Sequence, residues 1–178
     1  MELCPEIKPL LNGASYNADG NFWSLVQSTD STCRIEWGNG IVDRKGLDNF
    51  PFCVARHFRS VLFNENYIVL KSHWGSGAWF EIYLPLDSSK KELLIDNPVA
   101  RDWESNLVAY EGFNDTILFV KNLINEVSIP ILEREFKCDS PIWHYCIDSV
   151  SFQNEMLVYQ ISLTDKKGKK IKRKIRIN

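Results

Sequence analysis

The sequence predicts an all-β protein, and three observations carry that expectation. Short runs of β-branched and aromatic residues recur along the chain, turn-forming residues separate them, and helical periodicity is almost absent. The composition can build a core. Hydrophobic residues make up 44% and charged residues 25%, which excludes a disordered, collagen-like or coiled-coil chain. Six Trp, six Tyr and ten Phe supply the bulk of that core. At 178 residues the length fits a single all-β domain over 1–178.

The elements follow in order. Phe22-Trp23-Ser24-Leu25-Val26 is the first run, Tyr67-Ile68-Val69-Leu70 the second, and Trp79-Phe80-Glu81-Ile82-Tyr83-Leu84 the third. Leu107 to Tyr110, Ile117 to Val120 and Leu157 to Tyr159 come next. Between them lie Asp19-Gly20, Gly38-Asn39-Gly40, Gly75-Ser76-Gly77, Asn97-Pro98 and Lys167-Gly168, all of them turn chemistry. In Asp115 to Val127, the residues Ile117, Val120, Leu123, Ile124 and Val127 also fit one helix face, with Asp115 as cap. Asn122 and Asn125 interrupt that face, so two strands joined at Asn122 to Glu126 are preferred. At the end of the chain, Glu155 to Leu163 pairs with Lys169 to Ile177 as a hairpin across Thr164 to Gly168. Its return strand sets Ile171, Ile175 and Ile177 on one face and Lys172, Lys174 and Arg176 on the other.

An aromatic residue, an Asn within two positions and then an apolar run recur at Tyr16, Phe63, Phe113 and Phe152. Spacings of this kind in a strand-rich chain resemble the blade repeats of β-propellers. The resemblance implies a propeller-like array of antiparallel strand units. It reads Ser60 to Ile95 as one four-stranded blade, with strands at Ser60–Phe63, Tyr67–His73, Ala78–Pro85 and Glu92–Ile95. The first unit, Tyr16 to Leu47, looks short of strands, and Asp102-Trp103 reads as a connector. An irregular β-sandwich is the alternative.

The net charge of −2 hides an asymmetry. Residues 166–178 hold eight basic residues and no acid, and the other 165 residues hold 13 bases and 23 acids, a net of −10. Such a body repels nucleic acid and anionic membrane, while the last segment attracts them. The basic residues Lys169, Lys170, Lys172, Arg173, Lys174 and Arg176 are a candidate phosphate-binding strip. Lys and Arg also protect an exposed edge strand, and that structural reading is preferred. No run approaches 18 apolar residues and Met1 to Glu6 has no leader character, so neither a membrane span nor a secretion leader is expected.

The five cysteines, Cys4, Cys33, Cys53, Cys138 and Cys146, are odd in number and form no CxxC. They read as reduced thiols in a cytoplasmic protein. Cys138 with His144 and Cys146, or Cys53 with His57, could ligate a metal, but neither set has a zinc spacing. No phosphate-cradling or cofactor motif is present, so no cofactor is expected. Ser76 lies in a glycine turn with strand on both sides, not in a nucleophile elbow. The acidic pairs Glu133/Glu135 and Asp102/Glu104 suit solvated faces better than acid–base chemistry.

The aromatic loops are the stronger candidates for contact. Trp37 abuts Gly38-Asn39-Gly40, Trp74 and Trp79 bracket the second glycine turn, and Trp143 precedes His144. If exposed, such residues make protein hot spots or sugar-stacking platforms. The sequence therefore points to a non-catalytic protein-binding module with an acidic surface and a basic protein partner, for instance an inhibitor or immunity-type protein. A carbohydrate or small-ligand module using the Trp loops is a second reading. A hydrolase using His73 or the region from Asp139 to Asp148 is a third.

Overall fold

The computed structural model describes residues 14–39, 45–75, 78–112, 116–133, 147–162 and 170–177. The chain is built almost wholly from antiparallel strands, as expected, and divides into two compact units, Met1–Ile95 and Asp96–Asn178. The first unit holds two four-stranded sheets. Sheet one comprises β1 (Ser15–Tyr16), β2 (Asn21–Gln27), β3 (Thr32–Asn39) and β4 (Lys45–Pro51). A one-turn helix, α1 (Phe52–Ala55), leads to sheet two, with β5 (Arg59–Phe63), β6 (Tyr67–Gly75), β7 (Ala78–Pro85) and β8 (Leu93–Asp96). The second unit holds β9 (Pro98–Asp102), β10 (Leu107–Glu111), β11 (Thr116–Asn122) and β12 (Ser128–Glu133), then β13 (Ile147–Gln153), β14 (Met156–Ser162) and β15 (Lys170–Arg176). Every sheet is a meander in which each strand pairs with its sequence neighbours.

Period-two patterning explains the first core. In β2, Trp23 and Leu25 point inward, and in β3 so do Cys33, Ile35 and Trp37, while Arg34 and Glu36 join in an ion pair on the other face. Ile68 and Leu70 of β6 and Phe80, Ile82 and Leu84 of β7 complete one shared cluster. Phe58, just past α1, stands edge-on to Phe50 at 5.1 Å and to Phe80 at 5.9 Å. The second core joins Leu107, Ala109, Leu118 and Val120 to Leu157, Tyr159 and Ile161, with Ile175 and Ile177 packed against them.

The four strands expected from Ser60 to Ile95 are observed as the sheet β5 to β8, with nearly the same strand limits. Where a helix is the alternative, Thr116–Asn122 is a strand, and a turn after it leads into the paired strand Ser128–Glu133; Asp115 lies outside the described residues. The final hairpin pairs Met156 with Arg176 through to Ser162 with Lys170. The first sheet corrects an expectation. It has four strands, because the alternation from Cys33 to Trp37 builds β3 and the chain returns as β4. The recurring Asn marks turn chemistry. Asn17 Oδ1 accepts from the backbone N–H of Asp19 and Asn21, and Asn64 Oδ1 from Asn66 and Tyr67. Those turns, and Asn154-Glu155 with both φ positive, follow the first strand of their sheets. Phe113 instead falls between the second and third strands of its sheet, so the recurrence is not in phase with the sheets. Sequential meanders are what a blade array requires. A propeller also needs a common axis, which strand order alone does not supply.

Candidate functional site

The richest surface of polar and apolar groups lies at one end of the sheet β9–β12. The β9–β10 turn and the β11–β12 turn meet there, because Leu107 pairs with both Asp102 and Asn122. The Leu123 N–H donates to the Asn106 carbonyl at 2.8 Å and ties the two turns together. Each turn is set by its own side chain. Asp102 Oδ1 accepts from the N–H groups of Glu104 and Ser105, both at 3.2 Å. Asn122 Oδ1 accepts from Ile124 at 2.8 Å and Asn125 at 3.3 Å. Lys121 Nζ spans the second turn to the Glu126 carbonyl at 3.1 Å.

This end presents large apolar side chains to solvent. Ile124 is 58% exposed, Val127 53% and Ile129 37%. Trp103 is half-buried in the β9–β10 turn, with the Arg101 guanidinium over its ring at 6.0 Å. The exposed Glu104 and Glu126 stand in the same two turns. The charge of the surrounding chain is strongly negative, since residues 96–165 hold twelve acids and four bases. Most of the net charge of the acidic body is thus carried by the second unit.

The residues singled out from sequence fall in different places. Trp37 is 1% exposed, and its indole N–H donates to the Pro85 carbonyl at 3.0 Å. It is a core residue because β3 alternation turns it inward, and it is not a surface contact. Trp79 is half-buried on β7, with the Lys71 ammonium over its ring at 5.4 Å. Trp74 lies on β6. Trp143 and His144 lie outside the described residues, as do Lys169 and the region from Asp139 to Cys146.

The basic strand β15 is an edge strand, as expected. Lys170 pairs with Asp148 at 3.0 Å and Arg176 with Glu155 at 3.3 Å, so part of its charge is answered within its own sheet. Lys172, Arg173 and Lys174 are exposed. Arg173 shares the face of Ile171 and Ile175, opposite Tyr159.

Two sulfur atoms are defined. Cys33 is a free, fully buried thiol, and burial pushes it up to about 11. Cys53 is disulfide-bonded, with its partner outside the described residues. This corrects the expectation of reduced thiols throughout and removes Cys53 as a metal ligand beside His57. Of the hydrolase candidates, His73 stacks on His57 with ring centroids 4.0 Å apart. The Ser72 hydroxyl is committed to the Val54 carbonyl at 2.9 Å. Asp102 is likewise committed to its turn.

Fold and surface together define an all-β chain of antiparallel meanders in which two joined turns expose Ile124, Val127, Glu104 and Glu126 among the described residues. No protein-family model matches the chain, and no curated protein matches it. Among the described residues, no helix is long and apolar enough to cross a membrane.

Proposed function

We propose that the chain is a non-catalytic protein-binding module that recognises a basic protein through its second unit. The observation that carries this reading is the paired-turn surface, where Ile124 and Val127 stand exposed in one turn with Glu126, and the adjoining turn exposes Glu104. Exposed aliphatic side chains within a polar rim are the composition of a binding hot spot. The excess of acids over bases in residues 96–165 adds long-range attraction for a cationic partner and speeds encounter. The role would be occlusion, as in an inhibitor or immunity-type protein that covers a basic toxin or nuclease. The basic edge strand is assigned to edge protection, since two of its cations already pair within the sheet. The cytoplasmic setting expected from the cysteine count is opposed by the Cys53 disulfide, which favours an oxidising compartment.

The test is a tagged pull-down at low and high salt, with and without nuclease treatment, with Ile124→Asp and Val127→Asp variants alongside. The reading expects one stoichiometric basic protein, released by salt and absent from both variants. Recovery of nucleic acid that depends on β15 would overturn it.

A further inference from the structure

A cavity of about 460 Å³ in the first unit is lined by His57, Arg59, Ser60, Lys71 and His73. Three pieces of chain build it: the turn that ends α1, the start of β5 and the far end of β6. β6 runs past β5, because Arg59 with Lys71 is the last pair in their register. Beyond it, Ser72 and His73 have no strand neighbour on that side, and the turn bearing His57 occupies the space. The register also sets two cations directly opposite one another, a placement that weakens a strand pair.

The imidazoles of His57 and His73 stack at 4.0 Å with their planes 36° apart. The Arg56 Nε–H donates to His57 Nε2 at 3.0 Å. Arg56, His57, Arg59, Lys71 and His73 thus converge, and among the described residues no acidic side chain lines the cavity. The carboxylate nearest in register is Glu81 of β7, opposite Lys71. It is fully buried and accepts from the Tyr83 hydroxyl at 2.8 Å. Clustered cations and imidazoles repel one another in the empty cavity and are relieved by a dianion.

A second cavity of about 280 Å³ shares Arg59 and Ser60 as a common wall. Its other lining is largely apolar, including Trp23, Leu25 and Phe58. The Trp23 indole N–H is buried with no hydrogen-bond partner.

We propose that the first unit binds a phosphate monoester with an aromatic or apolar body, the phosphate among Arg59, Lys71, His57 and His73 and the body against Trp23, Leu25 and Phe58. This site is independent of the turn surface in the second unit, and either can fail without the other. His57 is held below the ordinary histidine range, first by desolvation and then by His73, Arg56 and Arg59. A bound dianion reverses that repulsion and draws a proton onto the imidazole. Affinity for the dianion therefore rises as pH falls through the histidine range, while protonation of the phosphate itself removes that dianion at about pH 6.

The experiment titrates the full chain with inorganic phosphate and with phenyl phosphate, at about pH 6 and about pH 8. Calorimetry and the imidazole NMR resonances of His57 and His73 are the readouts. Phenyl phosphate is expected to bind about tenfold more tightly than inorganic phosphate, and each more tightly at the lower pH when affinity is referred to the dianion present, since the phosphate itself takes up a proton at about pH 6. Arg59→Gln and Lys71→Gln, both exposed, are each expected to weaken binding about tenfold without lowering the melting temperature. Lys172→Gln in the second unit should leave affinity as it was. The absence of a saturable imidazole shift overturns the proposal. So does equal weakening by Lys172→Gln, and so does equal affinity for the two probes.

Discussion

Replacing Trp37 by Phe tests the placement of that residue in the core. The indole is 1% exposed and its N–H meets the Pro85 carbonyl at 3.0 Å. Three losses follow from this geometry. The smaller ring forfeits roughly 40 Å² of buried apolar contact, about 1 kcal/mol. The volume removed is roughly 40 Å³, and a cavity of that size that does not collapse adds about 1 kcal/mol. The buried Pro85 carbonyl loses its donor, a further cost of about 1 kcal/mol or more. The total is about 3 kcal/mol, which for a cooperative unit of this size lowers Tm by roughly 12–24 °C. Urea denaturation followed by circular dichroism measures it directly, as a lower midpoint at unchanged slope. Trp79→Phe is the comparator, since Trp79 is only half-buried, and it should cost about 1 kcal/mol or less. A Trp37→Phe cost within about 0.5 kcal/mol of zero would refute the core assignment and return Trp37 to the surface.

Three further outcomes are expected. Cys33, buried and raised to about 11, should resist alkylation in the native chain at about pH 8 and react at once after denaturation. Peptide mapping without reductant should recover Cys53 in a disulfide, and reduction should lower stability by about 2–4 kcal/mol. His57, its proton affinity lowered in the folded chain, makes stability fall as pH drops. The unfolded chain takes up a proton near pH 6.5 that the native chain refuses. His57→Gln should flatten that slope, and an NMR titration placing the native imidazole at or above 6.5 would contradict the assignment.

Much of the fold is legible in the chain because strands announce themselves by period two. The Asn122 to Glu126 break settles β11 and β12 as strands, since Asn122 and Asn125 supply the oxygens that turn the chain. β3 has an equally plain signal in Cys33, Ile35 and Trp37 alternating with Arg34 and Glu36, yet its adjacent glycine draws attention to a loop. Reading that alternation first would have placed Trp37 inside. The turn surface of the second unit is harder to see. Ile124 and Val127 look like one face of an amphipathic segment, and only the pairing of Leu107 with Asn122 shows them beside Glu104. The cavity at Arg59 is hidden for the same reason. Arg59 and Lys71 are twelve positions apart, and only the register sets them face to face.

The charge pattern gains its meaning from the two units. Over the whole sequence it reads as an acidic body with a basic tail. Residues 1–95, however, hold nine bases and eleven acids, so the first unit is close to neutral. The second unit contains both extremes, twelve acids and twelve bases, with eight of those bases in residues 166–178. Strand pairing joins part of that strip to acids of the same sheet, through Lys170 with Asp148 and Arg176 with Glu155. The exposed middle of β15, Lys172 to Lys174, keeps its charge in solvent along an open edge, where it opposes strand addition by another chain. If the second unit takes the basic partner proposed for it, that partner is attracted by the paired turns and repelled by β15. Opposed fields on one small unit orient an incoming partner before contact, so removing the charges of Lys172, Arg173 and Lys174 should relax orientation rather than strengthen the turn contact itself.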